Sequence, residues 1–216
     1  MLLFDMDGTL IDSNGVWKDV DREFLARWGL PYTHAYYEGV AHTILPLAAR
    51  FTKEYCHLTE SCEDIIAEWM EMARDAYAHV TVKPGVRAYL KQCRAEGRRM
   101  AVVTSSVPEH CRTALTNLDL MKYFEGVTLA HDLGLEKKDP ALWRAAAQRY
   151  NVAPEDCTVF DDSLSACRGA RAAGMRVVGV YDSFFAQDEA AMRGFCDVYI
   201  RSFEELLLPP RREARP

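Results

Sequence analysis

Two carboxylates stand two positions apart near the start of the chain, in Met1-Leu2-Leu3-Phe4-Asp5-Met6-Asp7-Gly8-Thr9-Leu10-Ile11-Asp12-Ser13. Carboxylates that close repel each other, so both stay ionised only beside a cation; otherwise one keeps a proton. The pair therefore suits metal-assisted chemistry on an anionic substrate. A second acidic pair, Asp161-Asp162, follows the apolar run Thr158-Val159-Phe160. Adjacent carboxylates at the end of a buried strand are costly without a cation, and oxygen ligands from both places suit Mg²⁺. Two other clusters could meet an anion. Thr104-Ser105-Ser106 closes the apolar run Met100–Val103, and its hydroxyls and free N–H groups, with the N-terminus of the next helix, can hold phosphate oxygens. Glu136-Lys137-Lys138-Asp139-Pro140 offers an ammonium. That ammonium would balance the carboxylates and grip a phosphoryl oxygen as a point charge.

These residues matter only if the fold gathers them. Leu2-Leu3-Phe4 is apolar without alternation, as expected of a strand buried on both faces of a parallel sheet. From Lys83 onward helices alternate with β-rich runs: strands at Met100–Thr104, Val127–Ala130, Thr158–Phe160, Met175–Val180 and Val198–Ile200. The expected helices run from Pro84-Gly85 to near Gly97, from Pro108 to about Leu118, from Pro140 to Tyr150, after Asp161-Asp162 to Gly174, and near Glu204–Leu208. Such alternation implies a doubly wound parallel sheet, and open α/β sheets place ligands at the carboxyl ends of their strands. Asp5, Thr104 and Asp161 all fall at such ends.

Between the first strand and the rest of the sheet the rhythm is helical. Val16, Val20, Phe24 and Trp28 recur every four residues, widened by Trp17 and Leu25, until Gly29-Leu30-Pro31 stops the pattern. A second stripe runs through Ile44, Leu45, Leu47, Ala48, Phe51 and Tyr55 with Pro46 in its first turn. Ser61 and Asp64 form a capping-box variant ahead of Ile65, Trp69, Met72 and Ala76. We expect a catalytic core of residues 1–14 and 82–216 and a helical insert of residues 15–81, with hinges at Asp12–Gly15 and Thr81–Gly85.

At 216 residues the chain can hold one well-buried domain and a smaller insert. The formal charge of −6 argues against a nucleic-acid partner, which needs clustered Lys and Arg. No apolar stretch is long enough to span a bilayer, and Asp5 interrupts the apolar start with no basic region before it. No membrane partner and a cytoplasmic location are expected. The seven cysteines form no Cys-x-x-Cys pair and are expected as thiols. Cys56, His57 and Cys62 lack a fourth ligand at zinc spacing, which favours a helical packing role for them.

Asp5-Met-Asp7-Gly-Thr-Leu-Ile-Asp-Ser resembles the first motif of the haloacid dehalogenase superfamily. Thr104, Lys137 and Asp161-Asp162 fall where its second, third and fourth motifs would. With the helical insert after the first motif, the chain resembles the subfamily of β-phosphoglucomutase and phosphoglycolate phosphatase. The resemblance implies an α/β fold: a doubly wound, Rossmann-like parallel-sheet core with an inserted α-helical cap. It implies Asp5 as a nucleophile that becomes aspartyl-phosphate and Asp7 as general acid, then base. Thr104 and Lys137 would contact the phosphoryl group, with Ser105 beside them. Mg²⁺ would be held by Asp5, by the backbone carbonyl of Asp7, and by Asp161 and Asp162 directly or through water.

The third motif usually reads Gly-Lys-Pro; here it is Glu136-Lys137-Lys138. Lys137 is preferred because it lies three residues before Pro140, with Lys138 the alternative. The mutases' cap glycine aligns with Gly39, and the Arg that follows it is replaced around His42, the candidate for substrate recognition. The implied activity is hydrolysis of a small phosphorylated metabolite. Phosphomutase is the nearest alternative, and a non-catalytic phospho-ligand-binding protein is the alternative of another class.

Overall fold

The computed structural model describes residues 1–40 and 45–207. Its largest sheet is built from short, almost wholly apolar strands. These are β1 (Leu2–Phe4), β4 (Met100–Thr104), β5 (Val127–Leu129), β6 (Thr158–Asp161), β7 (Arg176–Val180) and β8 (Val198–Ile200). All pairings are parallel, in the order β5-β4-β1-β6-β7-β8. The chain winds outward from β1 through β4 to β5, then returns to β6 on the other side. The winding therefore reverses between β1 and β6, which is where sheets of this topology leave a ligand crevice.

Every residue of β1 is buried, and both its edges are paired: Leu3 lies opposite Ala101 and Val159, and Phe4 opposite Val102 and Phe160. The period of two in a strand sends neighbouring side chains to opposite faces. Leu3 joins Val103, Val159 and Val177 under the helices α8 (Pro140–Arg149) and α9 (Leu164–Ala172). Phe4 goes the other way, stacking on Phe160 at 4.6 Å between ring centroids. Tyr89 packs edge-on to Phe4 and tilted on Phe160, and Phe203 lies tilted on Phe4 and stacked on Phe160. Tyr89 comes from α5 (Val86–Ala95), whose buried Val86, Tyr89, Leu90 and Cys93 keep helical spacing. Helix α6 (Pro108–Asn117) follows β4, the one-turn helix α7 (Ala130–Leu133) follows β5, and α10 (Glu189–Phe195) precedes β8.

Contacts divide the chain into two compact units, Met1–Ser13 with Val80–Pro216, and Asn14–His79. In the first unit, β2 (Ile11–Asp12) and β3 (Thr81–Val82) pair antiparallel where the chain leaves and re-enters it. The second unit consists, among the described residues, of α1 (Val16–Arg27), α2 (His34–Val40), α3 (Leu45–Cys56) and α4 (Cys62–His79). Its core joins Phe24 to Trp69 edge-on at 5.6 Å, and buried Tyr36 meets half-buried Phe51 and the exposed Tyr55 at its rim. The capping box before α4 is present: Asp64 N–H donates to Ser61 Oγ at 3.0 Å, and Ser61 N–H returns to Asp64 Oδ2 at 3.3 Å.

Several local expectations need correction. Trp28 is 44% exposed, not buried, because α1 ends at Arg27 and Trp28 falls at its C-cap; Leu25 takes the inward position. On α4 the buried positions are Ile65, Trp69, Ala73 and Tyr77, with Met72 and Ala76 only half-buried beside them. Leu47 is also exposed. Ala130 opens α7 rather than ending β5, and the closing helix is a 3₁₀ turn at Phe203–Leu206. Helix α2 carries too little apolar periodicity to announce itself. Among the described residues, no helix is long and apolar enough to cross a membrane.

Candidate active site

Asp5 follows the last residue of β1, and its N–H donates to Phe160 O at 2.9 Å, so the ladder to β6 continues one step past the strand. That bond sets Asp5 beside Asp161, the last residue of β6, and Asp162 after it. The three carboxylates are buried, and one oxygen of each lies within 4.8 Å of the others. Lys137 reaches them from the loop before α8: its ammonium bonds Asp5 Oδ1, and Asp161 Oδ2 at 3.0 Å. Lys138 points elsewhere and pairs with Glu136 on the surface.

Local sequence explains why Lys137 is the one that turns inward. Asp139 caps α8 by accepting from Ala141 N–H at 2.8 Å, and Pro140 occupies the first turn without wasting a donor. Trp143 Nε1 then donates to Lys137 O at 2.7 Å. Gly169 on α9 lets that backbone come close, since a Cβ there would lie 2.2 Å from Lys137 O.

The electrostatics follow from the geometry. Burial raises the Asp5 carboxyl well above its ordinary value; Lys137 opposes this, while Asp161, Asp162 and Asp7 add to it. Burial works to lower the Lys137 ammonium, but Asp161 and Asp5 outweigh it and hold the proton more tightly than on a free lysine. Among the described residues, three buried acids gather around one hydrogen-bonded ammonium, a set short of positive charge. All-oxygen donors that need a further cation fit Mg²⁺, so the residues present are suited to the metal that the sequence led us to expect.

The first loop is shaped by its own backbone. Gly8 adopts φ +73°, and its N–H donates to Ile11 O at 2.9 Å. Leu10 and Ile11 N–H both donate to Met6 O, at 2.9 and 3.1 Å. This tight turn brings Asp7 close enough to act on the Asp5 carboxyl, and Ser13 Oγ donates to Asp7 Oδ1 at 2.7 Å. Thr9 Oγ1 donates to Asp162 Oδ1 at 3.3 Å, tying the loop to the far side of the acid cluster.

Thr104 is fully buried at the end of β4, and its hydroxyl accepts Ser106 N–H at 3.0 Å, which leaves its own proton to donate. Ser105 is exposed. His42 lies outside the described residues. Thr9, Ser13, Trp143 and Gly169 were not singled out as site residues by sequence reasoning. Thr9 and Ser13 sat in plain view within the first motif, whereas Trp143 and Gly169 carry no signal that separates them from ordinary core.

A family profile described as haloacid dehalogenase-like hydrolase matches residues 2–180. The chain belongs to that family, and is a hydrolase of it. A phosphorylated carbohydrates phosphatase of Thermotoga maritima is 28% identical over 184 residues, covering 84% of this chain and 85% of its own. The fructose-1-phosphate phosphatase YqaB of Escherichia coli is 30% identical over 188 residues, covering 83% and 95%. Among solved structures, a Thermotoga maritima protein described as a candidate β-phosphoglucomutase superposes with a TM-score of 0.82 at 26% identity, covering 95% of each chain.

Proposed function

We propose that this protein is a Mg²⁺-dependent phosphatase that hydrolyses a small phosphorylated metabolite, of the phosphorylated-sugar class, through an aspartyl-phosphate on Asp5. The observation that carries the proposal is the Asp5 carboxylate at the reversal point of the sheet, beside Asp161, Asp162 and the Lys137 ammonium. The substrate class is carried over from the printed activities of the relatives.

Asp5 attacks phosphorus in line with the ester oxygen; the P–O bond to the leaving group breaks, and Asp7 gives that oxygen its proton. Asp7 then takes a proton from water as the water oxygen attacks phosphorus, the acyl-phosphate bond breaks, and Asp5 returns as a carboxylate with phosphate released. Splitting one displacement into two is the gain from a covalent nucleophile. Asp5, Asp161 and Asp162, with the backbone carbonyl of Asp7, would hold the metal, which when bound supplies Lewis-acid charge stabilisation and the counter-charge that keeps Asp5 ionised. Lys137 offsets the negative charge of the phosphoryl oxygens, and Thr104 Oγ with the Ser105 N–H region donates to them. The bond from Ser13 orients Asp7. We assign substrate selection to the helical unit of residues 15–81, inserted directly after this loop, with His42 as its first candidate.

Phosphate release from a panel of phosphorylated sugars and organic acids, with Mg²⁺ and with chelator, tests the reading. Chelator-sensitive release on at least one sugar phosphate supports it, and release indifferent to chelator contradicts it. The candidate mutase among the structural neighbours favours one second reading: the phosphoryl group passes to another substrate hydroxyl. Conversion that requires a sugar bisphosphate, without net phosphate release, would identify that case.

A further inference from the structure

Lys83 is the residue through which the chain turns from β3 toward α5, and its side chain is largely shielded beside a buried counter-ion. Its ammonium donates to Gly8 O at 2.6 Å, Tyr181 O at 2.7 Å and Asp182 Oδ2 at 2.7 Å. An ammonium has three donors, so all are used. The side chains of Lys83 and Asp182 are 11% and 4% exposed. Asp182 is itself fixed, its other oxygen accepting Phe184 N–H at 2.9 Å. The Lys83 backbone joins the same loop, its N–H donating to Leu10 O at 3.0 Å.

The acceptor that matters is Gly8 O. Gly8 sits between Asp7, on its N-terminal side, and Thr9, whose hydroxyl donates to Asp162. Its left-handed backbone is open to many alternatives that other residues avoid. Nothing in a glycine side chain can hold the Asp7–Thr9 segment; the cation on its carbonyl can.

We propose that Lys83 is a positioning residue for the metal site: by anchoring Gly8 O, it holds the Asp7–Thr9 segment in the conformation that binds Mg²⁺. The inference deepens the proposed function and rests on that reading of the site. Supporting partners of metal ligands typically change metal affinity by about 10–100-fold when removed; Lys83 acts through the loop backbone, so a loss of about tenfold is expected.

The test is calorimetric titration of the whole, substrate-free protein with Mg²⁺, alongside thermal melts in chelator. The key variant is Lys83→Met combined with Asp182→Asn, which removes the cation without stranding a buried carboxylate. Asp182→Asn alone leaves the ammonium on its two carbonyls. The double variant should lose about tenfold in Mg²⁺ affinity, and Asp182→Asn should stay near wild type. A double variant that melts earlier yet binds Mg²⁺ as wild type does would make Lys83 a mere brace and overturn the inference. An equal loss in Asp182→Asn would overturn it as well, since Gly8 O keeps its partner there.

Lys83→Gln, with a shorter neutral arm, provides a second variant should the double one fail to fold. A comparable loss supports the inference, and wild-type affinity overturns it. A wild-type protein that binds no Mg²⁺ refutes the reading of the site itself. Wild-type binding with unchanged variants refutes this inference alone.

Discussion

Replacing Lys137 with Met removes the only ammonium hydrogen-bonded to Asp5 and Asp161 among the described residues and keeps a similar apolar stem. Lys137 is 14% exposed at the side chain, Asp5 4% and Asp161 0%, so water can do little to screen the acids left behind. Breaking a buried pair by removing one partner costs about 3–5 kcal/mol, because the survivor is buried and uncompensated. For a chain of this size each kcal/mol moves the melting temperature by about 2–4 °C. In chelator, Lys137→Met should therefore melt about 6–20 °C below wild type. Combining it with Asp5→Asn removes one of the stranded charges, so the pair of changes should cost less than their sum, by about 0.5–3 kcal/mol. Mg²⁺ at about 100 times its Kd should restore about 2.7 kcal/mol to any form that still binds it. The assay is thermal melting with and without Mg²⁺ on the four members of the cycle. A Lys137→Met protein that melts within a degree or two of wild type in chelator, or strictly additive costs, would refute the charge argument.

Three further outcomes follow from particular contacts. Asp7→Asn should cut turnover by about 10²–10⁴-fold, the usual worth of a positioned acid–base group, and steady-state rates on a sugar phosphate check it. Gly169→Val should both destabilise the protein, by about 1–3 kcal/mol from overpacking, and depress activity, because its Cβ would collide with Lys137 O; parallel melts and rates reveal whether the two fall together. In the helical unit, burial pushes the Asp21 carboxyl up to about 7, opposed by the Tyr36 hydroxyl that donates to it. An acid whose folded value is raised gives stability that is complete below the ordinary carboxylate range and lost as pH climbs through the folded value. Urea midpoints in chelator should thus fall between the ordinary range and about 7, and Asp21→Asn should flatten that part of the profile.

What could be read from the sequence was what is local. Leu2-Leu3-Phe4 and Thr158-Val159-Phe160 are short apolar runs cut off by acids, so both the strands and the residues at their ends were visible. Once the alternation of strands and helices implied a doubly wound sheet, Asp5 and Asp161 had to share an edge. Lys137 was favoured over Lys138 by the spacing to Pro140 that the family resemblance implies. The contacts that escaped are non-local and made by ordinary residues. Lys83 lies 75 positions from Gly8 and 99 from Asp182, and no periodicity links them. Trp143 reads as core because it is core; its indole N–H on Lys137 O is invisible without coordinates. Trp28 misled for a different reason: the apolar stripe runs one residue past the end of α1 at Arg27, so Trp28 falls at the C-cap and not on the buried face.

The central claim is a covalent bond between Asp5 and phosphorus. Rapid acid quench during turnover with Mg²⁺, followed by peptide mass spectrometry, reads it directly. The account predicts one added phosphoryl group on the peptide containing Asp5, and neither adduct nor turnover in Asp5→Asn with deamidation excluded. A phosphoryl group on another residue, or full turnover in that variant, would contradict it.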